Sequence, residues 1–174
     1  MEFEIKEEKG FQFVEEGEGE VLLLLHGLFG ALSNYQYIIK DFSTRYKVVV
    51  PILPIFELPL LEANIKGLTK YLKKFVRSRG YRNVAVLGNS LGGHIALMYS
   101  LGEMDNVKCI ILTGSSGLYE KSLGDTFPKR GNYEFIKEKT QYTFYRPETA
   151  TQELIDEVYE TVNNRHKALR IIST

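Results

Sequence analysis

The sequence predicts an α/β fold built on a mostly parallel β-sheet. Short apolar runs, typical of strands buried on both faces, alternate along the chain with segments whose apolar residues recur at helical spacing. This alternation requires crossover connections between neighbouring parallel strands. The chain has 174 residues, of which 44% are hydrophobic and 25% charged, so its composition is that of an ordinary globular protein.

The predicted elements follow one another closely from the N-terminus. Apolar and polar residues alternate on either side of Gly10, which predicts an antiparallel hairpin over residues 2–7 and 11–16. Buried strands are predicted at 21–25, 47–51, 83–87 and 107–113, and helices at 34–42, 60–79 and 91–101. Cys109 lies in the middle of the last of these strands and is expected to be an inert core residue.

The pattern changes after Leu118, where no further strand of comparable quality appears. Helices are predicted at 133–140 and 149–172, the second opening with Thr149 and Gln152 at the spacing of a capping box. We therefore expect an α/β core at residues 1–118 and a helical addition at 119–174.

Composition excludes several classes of function. Lys plus Arg and Asp plus Glu each number 22, so a bulk electrostatic attraction to nucleic acid is not expected. A single cysteine, and the lack of a phosphate-binding loop or a dinucleotide glycine fingerprint, predict no metal and no cofactor. The acidic N-terminus does not resemble a signal peptide, and the longest apolar run, 48–56, is too short to cross a bilayer. No membrane partner and a cytoplasmic location are the resulting expectations.

The most informative motif is G-x-S-x-G, present as Gly88-Asn89-Ser90-Leu91-Gly92 between a predicted strand and a predicted helix. A serine in that position lies on a tight, strained turn, and the N-terminus of the following helix favours developing negative charge. An ordinary glycine-rich turn is the alternative reading, but the strand and the helix on either side favour a nucleophile.

A second glycine motif, His26-Gly27, follows the predicted strand at 21–25. Glycine after a buried strand lets the backbone expose an amide, so the N–H groups of Leu28 and Leu91 are expected to converge on an oxyanion. A connecting loop without a ligand is the other reading of the same residues.

The segments LLLLHGLFG and VAVLGNSLGGHIAL together resemble the α/β-hydrolase superfamily, in particular its lid-bearing branch of esterases and C–C bond hydrolases. The resemblance implies a mostly parallel α/β-hydrolase sheet with an N-terminal antiparallel hairpin and part of a helical lid. It implies that Ser90 is the nucleophile and that the backbone amides of Leu28 and Leu91 form the oxyanion hole. The residues expected to support this site are His26, Gly27, Gly88, Asn89 and Gly92.

The remaining members of a catalytic triad are harder to place. The superfamily order is serine, acid, histidine, and the chain offers Asp125 or Asp156 followed by His166. These residues lie in polar or helical surroundings with no preceding strand, which indicates surface residues of a lid. We expect the acid and histidine to lie beyond Thr174, so that this chain is the N-terminal portion of a longer hydrolase. A short protein that uses His166, or a histidine from a partner chain, is the alternative.

The expected activity is hydrolysis of a small acyl substrate, with residues 1–174 alone inactive or slow. The apolar segment 51–59 suggests an apolar acyl group. Two further readings stay open: an α/β-hydrolase scaffold that binds a ligand or partner without catalysis, and C–C bond hydrolysis or lyase chemistry on the same scaffold. An incompletely covered sheet also predicts self-association.

Overall fold

The computed structural model of the chain describes residues 3–30, 32–118 and 129–173, with the Ser33 side chain left aside. The chain divides into two compact units, Met1–Tyr119 and Glu120–Thr174. We describe each unit by itself.

The first unit is built on a six-stranded mixed sheet. Its strands are β1 (Lys6–Glu8), β2 (Phe11–Glu16), β3 (Val21–Leu25), β4 (Lys47–Pro51), β5 (Val84–Asn89) and β6 (Val107–Thr113), and their order in the sheet is β1-β2-β4-β3-β5-β6. β1 with β2 and β2 with β4 pair antiparallel, whereas β4, β3, β5 and β6 pair in parallel. This topology confirms the predicted fold class, including the N-terminal hairpin.

Three helices cover the two faces of the sheet: α1 (Gln36–Phe42), α2 (Ile65–Arg79) and α3 (Leu91–Gly102). Alternate residues of each strand point to opposite faces, which separates the apolar core into two clusters. The α2 and α3 face buries Phe13, Leu23, Val86, Leu72, Phe75 and Ile95. The α1 face buries Val14, Leu24, Val50, Tyr35 and Ile39.

Two boundaries differ from the sequence prediction because of local caps and pairing. α2 begins at Ile65 rather than near residue 60, since the Asn64 side chain accepts a hydrogen bond from the Gly67 amide at 3.0 Å and fixes the first turn. The helix ends as expected at Gly80, which is left-handed with φ 68°. The first strand of the hairpin is confined to Lys6–Glu8, the residues that pair with β2.

β6 is a strand as predicted, but the expectation that it is buried is wrong. Cys109 is exposed, and the neighbouring Ile110 and Ile111 are 38% and 44% exposed. Within the described residues β6 pairs with β5 alone, so it forms the edge of the sheet. Ala85 and Leu87 on β5 are already only half-buried, which shows that coverage of the α1 face thins from the centre toward this edge.

The second unit contains α4 (Tyr133–Tyr142), α5 (Gln152–Asn163) and α6 (Arg165–Ser173). The single helix predicted over 149–172 is wrong, because Asn164 is extended (φ −72°, ψ 115°) and separates two helices. Thr151, not Thr149, caps the first of them, accepting the Leu154 amide at 3.3 Å. The buried residues of α4, α5 and α6 include Ile136, Ile155, Val158 and Ala168. Its assignment as a lid stays a prediction.

No helix in the described parts of the chain has the length and apolar character needed to span a membrane.

Candidate active site

Ser90 occupies the sharp turn between β5 and α3. Its backbone is in the left-handed region, with φ 51° and ψ −119°, and its side chain is exposed. For a residue with a Cβ atom, such a conformation costs on the order of 1–3 kcal/mol and persists only where the surrounding structure imposes it. Ser90 is also the N-cap residue of α3, so the positive end of the helix dipole lies beside it.

The glycines of the motif are required by close approaches of the backbone. A Cβ atom at Gly88 would lie 2.4 Å from the carbonyl oxygen of Gly92, and one at Gly92 would lie 2.0 Å from that of Leu25. The start of α3 therefore packs directly onto the ends of β5 and β3. Any larger residue at position 88 or 92 would push the turn away from the sheet.

The loop that follows β3 lies against the same turn. A Cβ atom at Gly27 would be 3.2 Å from the Ser90 Cβ atom, and the Gly30 amide donates to the Gly27 carbonyl at 3.0 Å to close a tight turn. The amide of Leu28, inside this turn, takes no part in that hydrogen bond. The amide of Leu91 lies in the first turn of α3, where helices provide no internal acceptor. These are the two amides predicted for the oxyanion hole; their convergence on a substrate oxygen stays a prediction.

His26 is buried and has partners for both ring nitrogens. Nε2 accepts a hydrogen bond from the Leu53 amide at 3.1 Å, so the ring proton resides on Nδ1, which donates to the Gly27 carbonyl at 2.9 Å. Burial lowers the pKa of His26, although the Gly27 carbonyl opposes this effect. A neutral ring held in this way links the loop after β3 to the segment after β4, and it has no lone pair left for the proton of Ser90.

Two residues important to the geometry were missed by the sequence analysis. The Tyr35 hydroxyl, in a side chain only 4% exposed, donates to the Leu25 carbonyl at 2.8 Å, and burial raises the pKa of Tyr35 to about 12. Thr113, the last residue of β6, accepts the Ser90 amide at 3.1 Å and the Asn89 side-chain amide at 2.9 Å on its carbonyl oxygen. Tyr35 carried no sequence signal beyond its place on an apolar helix face. Thr113 did carry one, because it opens the small-residue run Thr-Gly-Ser-Ser-Gly at the end of β6.

Of the candidate partners for Ser90, Asp156 and His166 belong to the second unit. His94 lies in the first turn of α3, where its amide donates to the Ser90 carbonyl at 3.3 Å. The ring of His94 packs against Gly117, where an added Cβ atom would lie 2.6 Å from it. His166 is exposed on α6, and Asp156 bonds with Tyr133 and Gln152 of its own unit. Asp125 lies outside the described residues. Across the described residues there is no group of three or more side chains suited to holding a metal ion.

Comparison with known proteins identifies the family. The profile of the alpha/beta hydrolase fold matches residues 20–170. The chain belongs to the alpha/beta hydrolase fold family. Its sequence is 26% identical to the 2-hydroxy-6-oxo-6-phenylhexa-2,4-dienoate hydrolase of Comamonas testosteroni over 90% of this chain and 61% of that protein. It is 36% identical to the magnesium-chelatase 30 kDa subunit of Rhodobacter capsulatus over 48% of this chain and 31% of that subunit.

Solved structures of the alpha/beta hydrolase fold family agree with this assignment. MGS-MChE2, an alpha/beta hydrolase enzyme from the metagenome of lagoon sediments at Mar Chica, Morocco, is 36% identical with a TM-score of 0.75. That alignment covers 97% of this chain and 63% of the enzyme. The 2-hydroxy-6-oxo-6-phenylhexa-2,4-dienoate hydrolase from Rhodococcus sp. strain RHA1 shares the fold at 19% identity and a TM-score of 0.73, over 94% of this chain and 66% of that one. The chain spans 31–61% of the length of the two curated relatives compared above.

Proposed function

We propose that this chain carries the nucleophile portion of a serine hydrolase that acts on a small, apolar acyl substrate. The observation that carries the proposal is the backbone of Ser90, which is left-handed and exposed at a strand-to-helix turn whose glycines fit the G-x-S-x-G motif. Several homologues are named as hydrolases, which supports a hydrolytic reaction. A binding protein would gain nothing from holding a serine in a strained conformation.

In the proposed reaction, the Ser90 hydroxyl loses its proton to a general base and its Oγ attacks the carbonyl carbon of the substrate. The carbonyl oxygen becomes an oxyanion, which the amides of Leu28 and Leu91 stabilise, each by about 3 kcal/mol. The bond to the leaving alcohol then breaks, and the alcohol takes the proton from the base. Attack by water on the acyl-serine releases the acid and restores Ser90.

We place the base and its carboxylate outside residues 1–174. The imidazole of His26 is fully hydrogen-bonded and cannot accept a proton without losing the Leu53 amide. The known relatives are considerably longer than the part of them that this chain matches, which leaves room for both groups. The chain by itself should therefore acylate slowly and deacylate even more slowly.

An apolar acyl group is supported by the segment after β4. Leu53 and Ile55 are buried there, and the half-buried Phe56 and Leu58 pack against the same apolar cluster as Leu28. A site next to this segment offers dispersion contacts and few polar groups to a substrate.

The test is acyl transfer from p-nitrophenyl acetate to the purified chain, with imidazole added as an external base and the modified residue located by peptide mass spectrometry. We expect acetyl-Ser90 to accumulate, its rate to rise with imidazole, and Ser90→Ala to abolish it. Ser173→Ala, which removes another exposed hydroxyl, bonded to the Arg170 carbonyl at 2.9 Å, should leave Ser90 acetylation unchanged. Acetyl groups distributed over lysines and other serines without preference for Ser90 would overturn the proposal.

Two other functions have specific support. The relatives named as hydrolases of 2-hydroxy-6-oxo-dienoates favour C–C bond hydrolysis on the same scaffold. Similarity to a protein named as a subunit of magnesium chelatase favours a role in binding a partner. Ser90 acetylation with no turnover of a dienoate by the chain supplied with imidazole favours the ester hydrolase, while an unreactive Ser90 favours the binding role.

A further inference from the structure

Thr113, the last residue of β6, is hydrogen-bonded to the turn that carries Ser90. The Thr113 carbonyl accepts both the Ser90 amide at 3.1 Å and the Asn89 Nδ2 group at 2.9 Å. The Thr113 hydroxyl accepts Asn89 Nδ2 at 3.1 Å and donates to the Gly88 carbonyl at 3.4 Å. Three consecutive residues of the turn, Gly88, Asn89 and Ser90, are thus bonded to one threonine on the neighbouring strand.

The segment after Thr113 continues the same arrangement. The amide of Ser116 donates to the Ser90 carbonyl at 3.2 Å, and that carbonyl also accepts the Gly93 amide at 3.0 Å. Ser115 lies so close to Gly93 that an added Cβ atom there would be 2.4 Å from its Oγ. The backbone of Ser90 is therefore held on its N–H side by Thr113 and on its C=O side by Ser116.

These contacts address a specific physical problem. A left-handed serine relaxes to an ordinary conformation unless its surroundings oppose that change. Relaxation would rotate the peptide groups on either side of Ser90. The Leu91 amide belongs to the peptide group that follows Ser90, so the Ser90 Oγ would move relative to that amide. Displacements of about 1 Å are enough to reduce the rate of a positioned reaction strongly.

We propose that Asn89 and Thr113 are positioning residues for the Ser90 nucleophile, a role that rests on the proposed function. Asn89 suits this role because its side-chain amide provides two N–H donors, and Thr113 presents two acceptor oxygens to it. Position 89 is the variable residue of the motif, so here the side chain that precedes the nucleophile ties the turn to β6.

The alternative is that this pair merely joins β5 to β6, whose backbones are already paired at Asn89 and Thr113. A merely structural link would lower the free energy of unfolding when broken and leave the reactivity of Ser90 in the folded protein unchanged. A positioning role would slow acylation in a protein that is still folded. Reactivity and stability must therefore be measured on the same variants.

The experiment compares Ser90 acetylation in wild type, Asn89→Ala, Thr113→Val and Thr113→Ser, with added imidazole. We expect the maximal acetylation rate to fall about tenfold in the first two variants, with the ester concentration at half-maximal rate unchanged. Thr113→Ser keeps the hydroxyl and should restore the rate. The double variant should be slower than wild type by less than the product of the two single effects, since both substitutions remove the hydrogen bond from Asn89 Nδ2 to the Thr113 hydroxyl. Thr44→Val, which removes an exposed hydroxyl bonded locally, to the Asp41 carbonyl at 2.9 Å, is the matched control.

A second readout does not depend on the reaction. Hydrogen exchange of the Ser90 amide, which donates to Thr113, should accelerate about tenfold in Asn89→Ala, while the Ile95 amide inside α3 exchanges as in wild type. Unchanged acetylation rates and unchanged Ser90 exchange in the variants would overturn the positioning role and leave the proposed function intact. A wild-type chain that is not acetylated at Ser90 would overturn both.

Discussion

At the scale of single residues, the site depends on glycines whose neighbours leave little or no space for a side chain. Gly27→Ala would place a Cβ atom 3.2 Å from that of Ser90 and 3.4 Å from Asn89 Oδ1, so the serine must shift by a few tenths of an ångström. We expect Ser90 acetylation to slow about tenfold while the free energy of unfolding changes by less than about 1 kcal/mol. Gly102→Ala is the control, because its Cβ atom meets nothing within 4 Å. Equal acetylation rates in the two variants would show that the loop after β3 does not bear on the nucleophile.

His26 provides a residue-scale prediction about pH. Burial lowers the pKa of His26 below the usual 6.5. Near pH 6.5 the imidazole therefore binds more protons in the unfolded chain than in the folded chain. The stability contributed by the neutral ring is complete above the unfolded pKa and is lost as pH falls through the folded pKa.

We therefore expect the free energy of unfolding to fall more steeply in wild type than in His26→Gln between about pH 7 and about pH 5, as measured by urea titration. The glutamine side chain keeps an acceptor for the Leu53 amide but does not titrate. Parallel losses of stability in the two proteins would contradict a buried, neutral His26.

At the scale of secondary-structure elements, Arg79 at the end of α2 joins that helix to the N-terminal hairpin. Its guanidinium pairs with Glu8 and with Glu15, the latter at 3.3 Å, and lies 4.7 Å from the centre of the Phe13 ring. Burial alone raises the pKa of the Glu15 carboxyl, but the Tyr81 hydroxyl and Arg79 outweigh it and hold that pKa below its usual range. These contacts are only partly open to solvent, so they are weakly screened.

Arg79→Ala should lower the free energy of unfolding by about 1–3 kcal/mol, because it leaves the largely buried Glu15 carboxylate with one partner fewer. Arg77→Ala on the same helix should cost less than about 1 kcal/mol, since Arg77 is 66% exposed and pairs with Glu103 at the surface. Urea titration of both variants measures the difference. Similar losses in both would mean that Arg79 does not fasten the hairpin.

The elements also show why sequence alone predicts some features and misses others. β3 and β4 are runs of apolar residues typical of strands buried on both faces, and the G-x-S-x-G motif fixes the turn at Ser90 because its glycines fit one backbone geometry. Thr113 reaches the site through pairing between β5 and β6, which depends on sheet register rather than on local sequence. The exposure of Cys109 depends on the position of β6 in the sheet order, which an apolar run does not encode.

At the scale of the whole molecule, the edge strand β6 bears on association. In the described part of the chain its outer edge has no strand partner, and Cys109, Ile110 and Ile111 are exposed along it. Unpaired edges with apolar side chains pair readily with other strands. The chain carries no net charge, so two copies do not repel one another strongly. We propose that β6 edges of two copies pair with one another.

We expect the mass of the 174-residue chain in solution to rise with protein concentration, and Ile111→Lys to keep it at that of a single chain. A charge at that edge opposes pairing between strands, which is how natural sheet edges stay single. Leu61→Lys is the control, because Leu61 lies in the loop before α2 and is 92% exposed. It should associate like wild type, since association is proposed to depend on the β6 edge and not on exposed apolar surface in general. Light scattering over a concentration series measures both variants; a wild-type chain that stays monomeric, or association lost equally in both variants, would exclude pairing through β6.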